Sequence, residues 1–263
     1  MLSALHAIIL GVVEGLTEFL PVSSTGHLIL AAHALRIPET EFIKSFEIII
    51  QLGAILAVLA LYWRKLLTNW KIFSRVAVAF LPTALIGLVL YKTIKTYLLG
   101  NAAVVLWSLA IGGALLIFFE LLHARKTPTT SGADTTAELE SMSYGTAAFV
   151  GLFQSLAIIP GVSRSAATIV GGMIAGMSRA AIVEFSFMLA VPVMAAATGL
   201  DLIKSAGSFA RADLAALGVG FAAAFVAALL AVRFFIRYVQ KHTFVPFGIY
   251  RIVLAALFFF FLL

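Results

Sequence analysis

The sequence predicts an all-α polytopic membrane protein: six transmembrane helices plus two re-entrant helical hairpins, arranged as an inverted-topology repeat. Three observations carry this. Hydrophobic residues make up 62% of the 263 residues and charged residues only 11%, with a mean hydropathy of +1.10; a soluble domain carries about 25% charge. Six stretches reach the roughly 20 apolar residues that cross a hydrocarbon core. Two further apolar stretches are each broken by a polar turn. The balance also excludes function classes. A net charge of +6 spread this thinly is no nucleic-acid footprint, and it fits loop anchors plus a need to hold an anion. With no cysteine, disulfides, thiolate metal sites and a cysteine nucleophile are absent.

Taken in order, residues 1–126 form the first repeat. It opens without a cleavable signal: Met1 to His6 lacks a basic region, and Glu14 and Glu18 interrupt the apolar run that follows. A hairpin at about 4–35 turns at Pro21-Val22-Ser23-Ser24-Thr25-Gly26-His27, and spans follow at about 43–63, 74–92 and 101–122. Residues 127–141, rich in Thr, Ser and acids, read as a polar cytoplasmic linker without chemistry. Residues 142–263 form the second repeat. Its hairpin, at about 143–177, turns at Pro160-Gly161-Val162-Ser163-Arg164-Ser165, ahead of spans at about 180–203, 213–236 and 244–263. Unpaired backbone at membrane depth survives only inside protein or against a wet cavity, so both turns are expected there.

The charge bias orients the bundle. Arg64, Lys65, Lys71, Arg75, Arg125, Lys126, Arg179, Arg233, Arg237 and Lys241 fall on one side, and Arg36, Lys44, Lys92, Lys95, Lys204 and Arg211 on the other. The richer side is the cytoplasmic one, which puts both termini outside, the first hairpin entering from the outer face and the second from the cytoplasm.

A slide of 140 residues lays Gly11-Val12-Val13-Glu14-Gly15-Leu16 over Gly151-Leu152-Phe153-Gln154-Ser155-Leu156, and Val22-Ser23-Ser24-Thr25 over Val162-Ser163-Arg164-Ser165. Each half is one hairpin plus three spans, and an odd number inverts the second half. Chance likeness between two Gly- and Ser-rich stretches is the plainer explanation; matching hairpin shape and helix count argue against it. Inverted repeats place binding sites near the midplane, between discontinuous helices. The repeat fails where it is most informative: Glu14 and Glu18 face Gln154 and Ile158, and Ser24 faces Arg164.

Those departures are candidate site residues. Glu14 and Glu18, four apart, share one helix face, and two buried acids are costly unless something neutralises them. A divalent cation would do so; alternatively one acid is protonated and the other pairs with Arg164. Arg164 is the natural clamp for a diphosphate. Hydroxyls at a helix opening near His27 can serve as caps or as ingredients of nucleophilic catalysis. Lys44, Glu47, Gln51, Glu184 and Arg251 read as inter-helix partners, and Pro192 as a kink.

The run from Gly11 to His27, Gly-Val-Val-Glu-Gly-Leu-Thr-Glu-Phe-Leu-Pro-Val-Ser-Ser-Thr-Gly-His, resembles the first signature of the bacterial undecaprenyl-diphosphate phosphatases of the bacitracin-resistance type. Pro160 to Ser165 with Thr168 resembles the second, and Glu184-Phe-Ser-Phe-Met-Leu-Ala-Val-Pro192 is similar to the family too. The family usually has a glycine where Ala166 stands. The resemblance implies hydrolysis of undecaprenyl diphosphate to the monophosphate and inorganic phosphate, recycling the lipid carrier of cell-wall synthesis and conferring bacitracin resistance. It implies a divalent ion, Mg²⁺ or Ca²⁺, at Glu14 and Glu18. It implies catalysis by Ser24, His27, Glu18 and Arg164, with Arg164, Ser23, Thr25, Ser163, Ser165 and Thr168 binding substrate. The expected partners are the polyprenyl diphosphate and membrane lipid, with no nucleic acid and a homodimer left open. The expected place is the bacterial inner membrane, with a site opening to the periplasmic face. The nucleophile stays open between Ser24 assisted by His27, His27 itself, and a metal-bound water. A rival function, polyprenyl-phosphate flippase or anion transporter, would use the same site. The acid-phosphatase-like lipid phosphatases need a histidine after Ser-Arg in a His-x-x-x-Asp motif, which Ser163-Arg164 does not have.

Overall fold

The computed structural model describes residues 2–38, 40–93, 97–98, 101–124, 134–205 and 214–262, and all regular structure among them is helical. In chain order the α-helices are α1 (Ala4–Thr17), α2 (Ser24–Ala34), α3 (Glu41–Leu67), α4 (Trp70–Thr93), α5 (Ala102–Ala124), α6 (Thr135–Ser141), α7 (Tyr144–Gln154), α8 (Arg164–Ile174), α9 (Arg179–Ser205), α10 (Leu214–Val239) and α11 (Val245–Leu262). A 3₁₀ turn, Ser155–Ile158, follows α7. Among the described residues five helices are long and apolar enough to cross a membrane: Phe42–Leu67, Trp70–Leu90, Ala102–Leu122, Arg179–Gly199 and Leu214–Val239; the apolar part of α11, Val245–Phe260, is shorter than the span expected there. The chain is a polytopic membrane protein.

Local chemistry sets the ends. Ser3, Thr40 and Ser143 cap α1, α3 and α7 by accepting the N–H three residues on, at 3.2, 3.2 and 3.0 Å. Pro82 and Pro192 sit inside α4 and α9, each removing one intrahelical bond. Outward faces are apolar, as Leu85, Leu88, Val89, Leu230 and Phe260 show. A buried cluster including Phe19, Phe185, Phe187 and Phe235 occupies the middle.

The packing exchanges partners between halves. In chain order α1 packs on α10 and α7 on α4; likewise α3 lies against α10 and α9 against α4, while α5 and α11 pair with each other. Two glycines permit the close hairpin contacts. A Cβ on Gly11 would strike the Gly220 carbonyl of α10, and one on Gly151 would strike the Ala79 carbonyl of α4.

The polar linker expected at 127–141 is helical over α6, and residues 127–133 lie outside the described ones, as do Lys95, Arg125, Lys126 and Arg211 of the charge bias. In α6, Glu138 accepts from the N–H of Ser178 at 2.7 Å and from its hydroxyl at 2.6 Å. Glu140 accepts from Asn69 at 2.8 Å and Lys71 at 3.3 Å. These bonds clip the start of α9 to the α3–α4 connection. The hydrogen bond from Asn69, then that from Lys71, holds the Glu140 carboxyl below the usual carboxylate range.

Candidate active site

The two hairpin tips meet. Each second helix begins after a serine forced into the left-handed region, Ser23 at φ 70° and Ser163 at φ 74°, a conformation that costs a non-glycine residue of order 1–3 kcal/mol. The same strained step, at two serines 140 residues apart (163 − 23), turns the chain so that Ser24 and Arg164 open α2 and α8. Across the contact, the Ser165 hydroxyl donates to the Leu20 carbonyl at 2.7 Å, and Arg164 Nη2 donates to Glu18 Oε1 at 3.0 Å.

A cavity of about 240 Å³ lies there, with a polar wall that includes Glu18, Ser23, Ser24, Thr25, Ser163 and Arg164. Val193, Met194, Ala197, Ala157 and Ile158 supply an apolar wall. Arg164 is held on two sides: Nη1 donates to the Ser186 carbonyl at 2.9 Å and Nη2 to Glu18, while the guanidinium lies 5.3 Å from the Phe19 ring centroid. Its Nε–H is buried without an acceptor. A buried donor left open on a cavity-lining cation is what an incoming anion satisfies.

Glu18 has a donor on each oxygen. One oxygen takes Arg164, and the other accepts from Ser24 Oγ at 2.6 Å. The pairing of one glutamate with Arg164 is therefore the arrangement formed here. Glu14 is the opposite case. It is completely buried, both carboxylate oxygens lack a donor, and the charges bearing on it are Glu18, Glu47 and Arg164. A buried carboxyl set against the Glu18 carboxyl needs a proton shared between the two or a cation between them, and two carboxylates side by side suit either.

His27 departs from the expected geometry. Its Nδ1 donates to the Ser23 carbonyl at 2.8 Å, and its Nε2 lies 2.6 Å from Tyr250 Oη. The Ser24 hydroxyl meets Glu18, not the imidazole, because the turn folds the ring back onto Ser23. Three other candidate site residues, Glu14, Ser165 and Thr168, stand off the cavity wall. Ser165 and Thr168 are fully buried, and Thr168 Oγ1 sits 2.8 Å from the Arg164 carbonyl and 3.2 Å from Gln154 Oε1. Ala166, where the family has glycine, is buried behind the tip and donates its N–H to Ser163 Oγ at 3.3 Å.

Sequence reasoning missed several participants. Ser186, whose carbonyl accepts from Arg164, lies in the family-like run that begins at Glu184. Thr83, with Gln51 and Gln154, also lines the cavity, and Gln154 donates to Thr83 at 3.1 Å; Gln51 had read as an inter-helix partner and Gln154 as the aligned counterpart of Glu14. Tyr250 gave no signal, being one aromatic in a hydrophobic helix.

The model of the family described as "Bacitracin resistance protein BacA" matches residues 7–257. Among curated relatives, an undecaprenyl-diphosphatase of Aquifex aeolicus is 48% identical over 256 residues, covering 95% of this chain and 94% of that protein. One of Wolinella succinogenes is 49% identical with 98% and 97% covered, and one of Thermus thermophilus 48% with 99% and 98%. With a match from near one end to the other, and both signature turns meeting around one cavity, the chain belongs to the bacitracin resistance protein BacA family.

Proposed function

We propose that this chain is a bacterial inner-membrane phosphatase that hydrolyses undecaprenyl diphosphate to undecaprenyl phosphate and inorganic phosphate. That reaction recycles the lipid carrier of cell-wall synthesis and underlies bacitracin resistance. The observation that carries the reading is the contact between Ser24 and Glu18, set beside an arginine with an open donor. It supplies a nucleophile, a base and an anion clamp in one cavity.

The terminal phosphate enters against Arg164, whose Nε–H gains an acceptor. Ser24 Oγ, already 2.6 Å from Glu18 Oε2, passes its proton to that carboxylate and attacks the terminal phosphorus. The bond from phosphorus to the bridging oxygen breaks, and undecaprenyl phosphate leaves with the electron pair. Water then attacks the phosphoserine, with Glu18 accepting the water proton once the first has been released, and inorganic phosphate departs as Ser24 is restored. Arg164 holds charge on the phosphoryl oxygens throughout. Glu14 and Glu18 would hold the divalent ion, Mg²⁺ or Ca²⁺; when bound it neutralises negative charge on the diphosphate.

The same proposal covers the topology. Helices α3–α5 and α9–α11 are six spans, and α1–α2 and α7–α8 are re-entrant hairpins of repeats 1–126 and 142–263. The exchanged packing of α1 with α10 and α7 with α4 supports the inversion. The ends bearing Arg64, Lys71 and Arg179 face the cytoplasm, and the cavity opens toward the periplasm.

Purified protein with undecaprenyl diphosphate should release inorganic phosphate, and Ser24→Ala should not. Binding of the lipid without phosphate release by the parent would overturn the phosphatase reading in favour of transport.

A further inference from the structure

Helix α11 reaches both hairpin tips through two adjacent side chains. Successive helical residues point about 100° apart, and here one points to each tip. Tyr250 Oη lies 2.6 Å from His27 Nε2. The Ser23 carbonyl can only accept, so Nδ1 of the neutral ring carries its proton and Nε2 accepts from the tyrosine hydroxyl. The imidazole therefore braces the strained residue Ser23, immediately before Ser24, while Tyr250 fixes the tautomer that allows it.

Arg251 does the corresponding work for the second tip. It is completely buried, and its contacts run to carbonyl oxygens: Nη1 to Val162 at 2.9 Å, and Nη2 to Ser108 at 2.9 Å and Gly161 at 3.0 Å. Gly112 of α5 makes room, since a Cβ there would collide with the guanidinium. The turn it grips is contorted, with Gly161 at φ 91° and Ser163 at φ 74°. A trans peptide sets each N–H opposite the preceding carbonyl. Holding the Val162 carbonyl thus turns the Ser163 N–H away from Arg251, one residue before the arginine that clamps phosphate.

We propose that Tyr250 and Arg251 are positioning residues for the phosphatase reaction: Tyr250 sets His27 and through it the Ser23–Ser24 step, and Arg251 sets the turn that presents Ser163 and Arg164. The inference rests on the proposed function, and the test keeps the two apart. Failure of the parent to release phosphate from undecaprenyl diphosphate sinks the function; the positioning claim is read from variants of an active parent and from a label that needs no activity.

Tyr250→Phe removes one hydroxyl and no packing volume. Its kcat should fall about tenfold, the size of one transition-state hydrogen bond, with KM within about twofold because the clamp is untouched. Carbethoxylation of His27 by diethyl pyrocarbonate, followed by peptide mass spectrometry, should run at least about threefold faster as Nε2 loses its partner. Arg251→Met strips three carbonyls and can simply unfold, so Arg251→Lys is the informative change. One ammonium cannot span the carbonyls that two Nη atoms straddle, and kcat should again fall about tenfold at an unchanged melting temperature. Parent-like kcat in either variant, an unchanged His27 labelling rate in Tyr250→Phe, or an activity loss in Arg251→Lys matched by early melting would overturn the assignment.

Discussion

Replacing Arg164 by lysine preserves the charge and removes the fork, which isolates what the guanidinium geometry contributes. In the parent, Nη1 is committed to the Ser186 carbonyl at 2.9 Å, Nη2 to Glu18 at 3.0 Å, and the buried Nε–H is open. A lysine ammonium has three donors on one atom and cannot serve Ser186, Glu18 and a phosphate oxygen from those three directions. The contact first lost is the one to the substrate, because Glu18 and Ser186 are present at all times. A hydrogen bond involving a charged group is worth about 1.5–3 kcal/mol, which corresponds to roughly ten- to a hundredfold in kcat/KM. The assay is inorganic phosphate release from undecaprenyl diphosphate by detergent-purified protein, with melting temperature measured alongside. A parent-like kcat/KM for Arg164→Lys would refute the idea that the open Nε–H receives the diphosphate.

Glu14→Gln should abolish metal-dependent turnover and weaken Mn²⁺ binding measured directly by calorimetry; unchanged Mn²⁺ affinity would remove Glu14 from the ion site. Rapid quench with labelled substrate should trap acid-stable phosphoserine on Ser24; label on His27, or ¹⁸O entering phosphate without any covalent intermediate, would overturn attack by Ser24. The Glu120 carboxylate pairs with Arg179 through Nε at 2.9 Å and through Nη2, with both side chains largely buried, so Glu120→Ala should destabilise by about 3–5 kcal/mol. The Glu120→Leu/Arg179→Met pair should recover most of that loss, and a double variant no more stable than the single would show that the charge is not the cause. Because Glu140 titrates low in the folded chain, its contribution is complete above its unfolded value of about 4.3 and lost as pH falls through the lower folded value. Hydrogen-exchange protection in α6, taken relative to the intrinsic rate at each pH, should therefore fall below about pH 4, and Asn69→Ala should move the onset upward.

Hydrophobic run lengths by themselves determined where the long helices lie, though not the short polar helix α6, because a span in lipid must satisfy its backbone within itself and so declares itself over about twenty consecutive residues. The observed long helices α3, α4, α5, α9 and α10 match the predicted segments to within about four residues at each end, while α11 is shorter than the segment expected at 244–263. The same constraint exposed the two broken hairpins, and the 140-residue slide aligned Ser24 with Arg164, which the structure brings to one cavity. Which partners those side chains take was decided only by the tertiary structure. Glu18 binds Ser24 and Arg164 while Glu14 stays bare, although both acids occupy one helix face and look alike in sequence. His27 turns toward Tyr250, 223 residues away in the chain, instead of toward Ser24 three residues before it. Local spacing bounds what a side chain can reach, but the direction it takes depends on the strained φ at Ser23 and on the helix packed opposite. Neither leaves a periodic mark in the chain. Arg251 was legible as a polar residue in a span; that it grips the carbonyls of the second turn follows from α11 lying against α5, with Gly112 and Gly113 leaving the space for the approach.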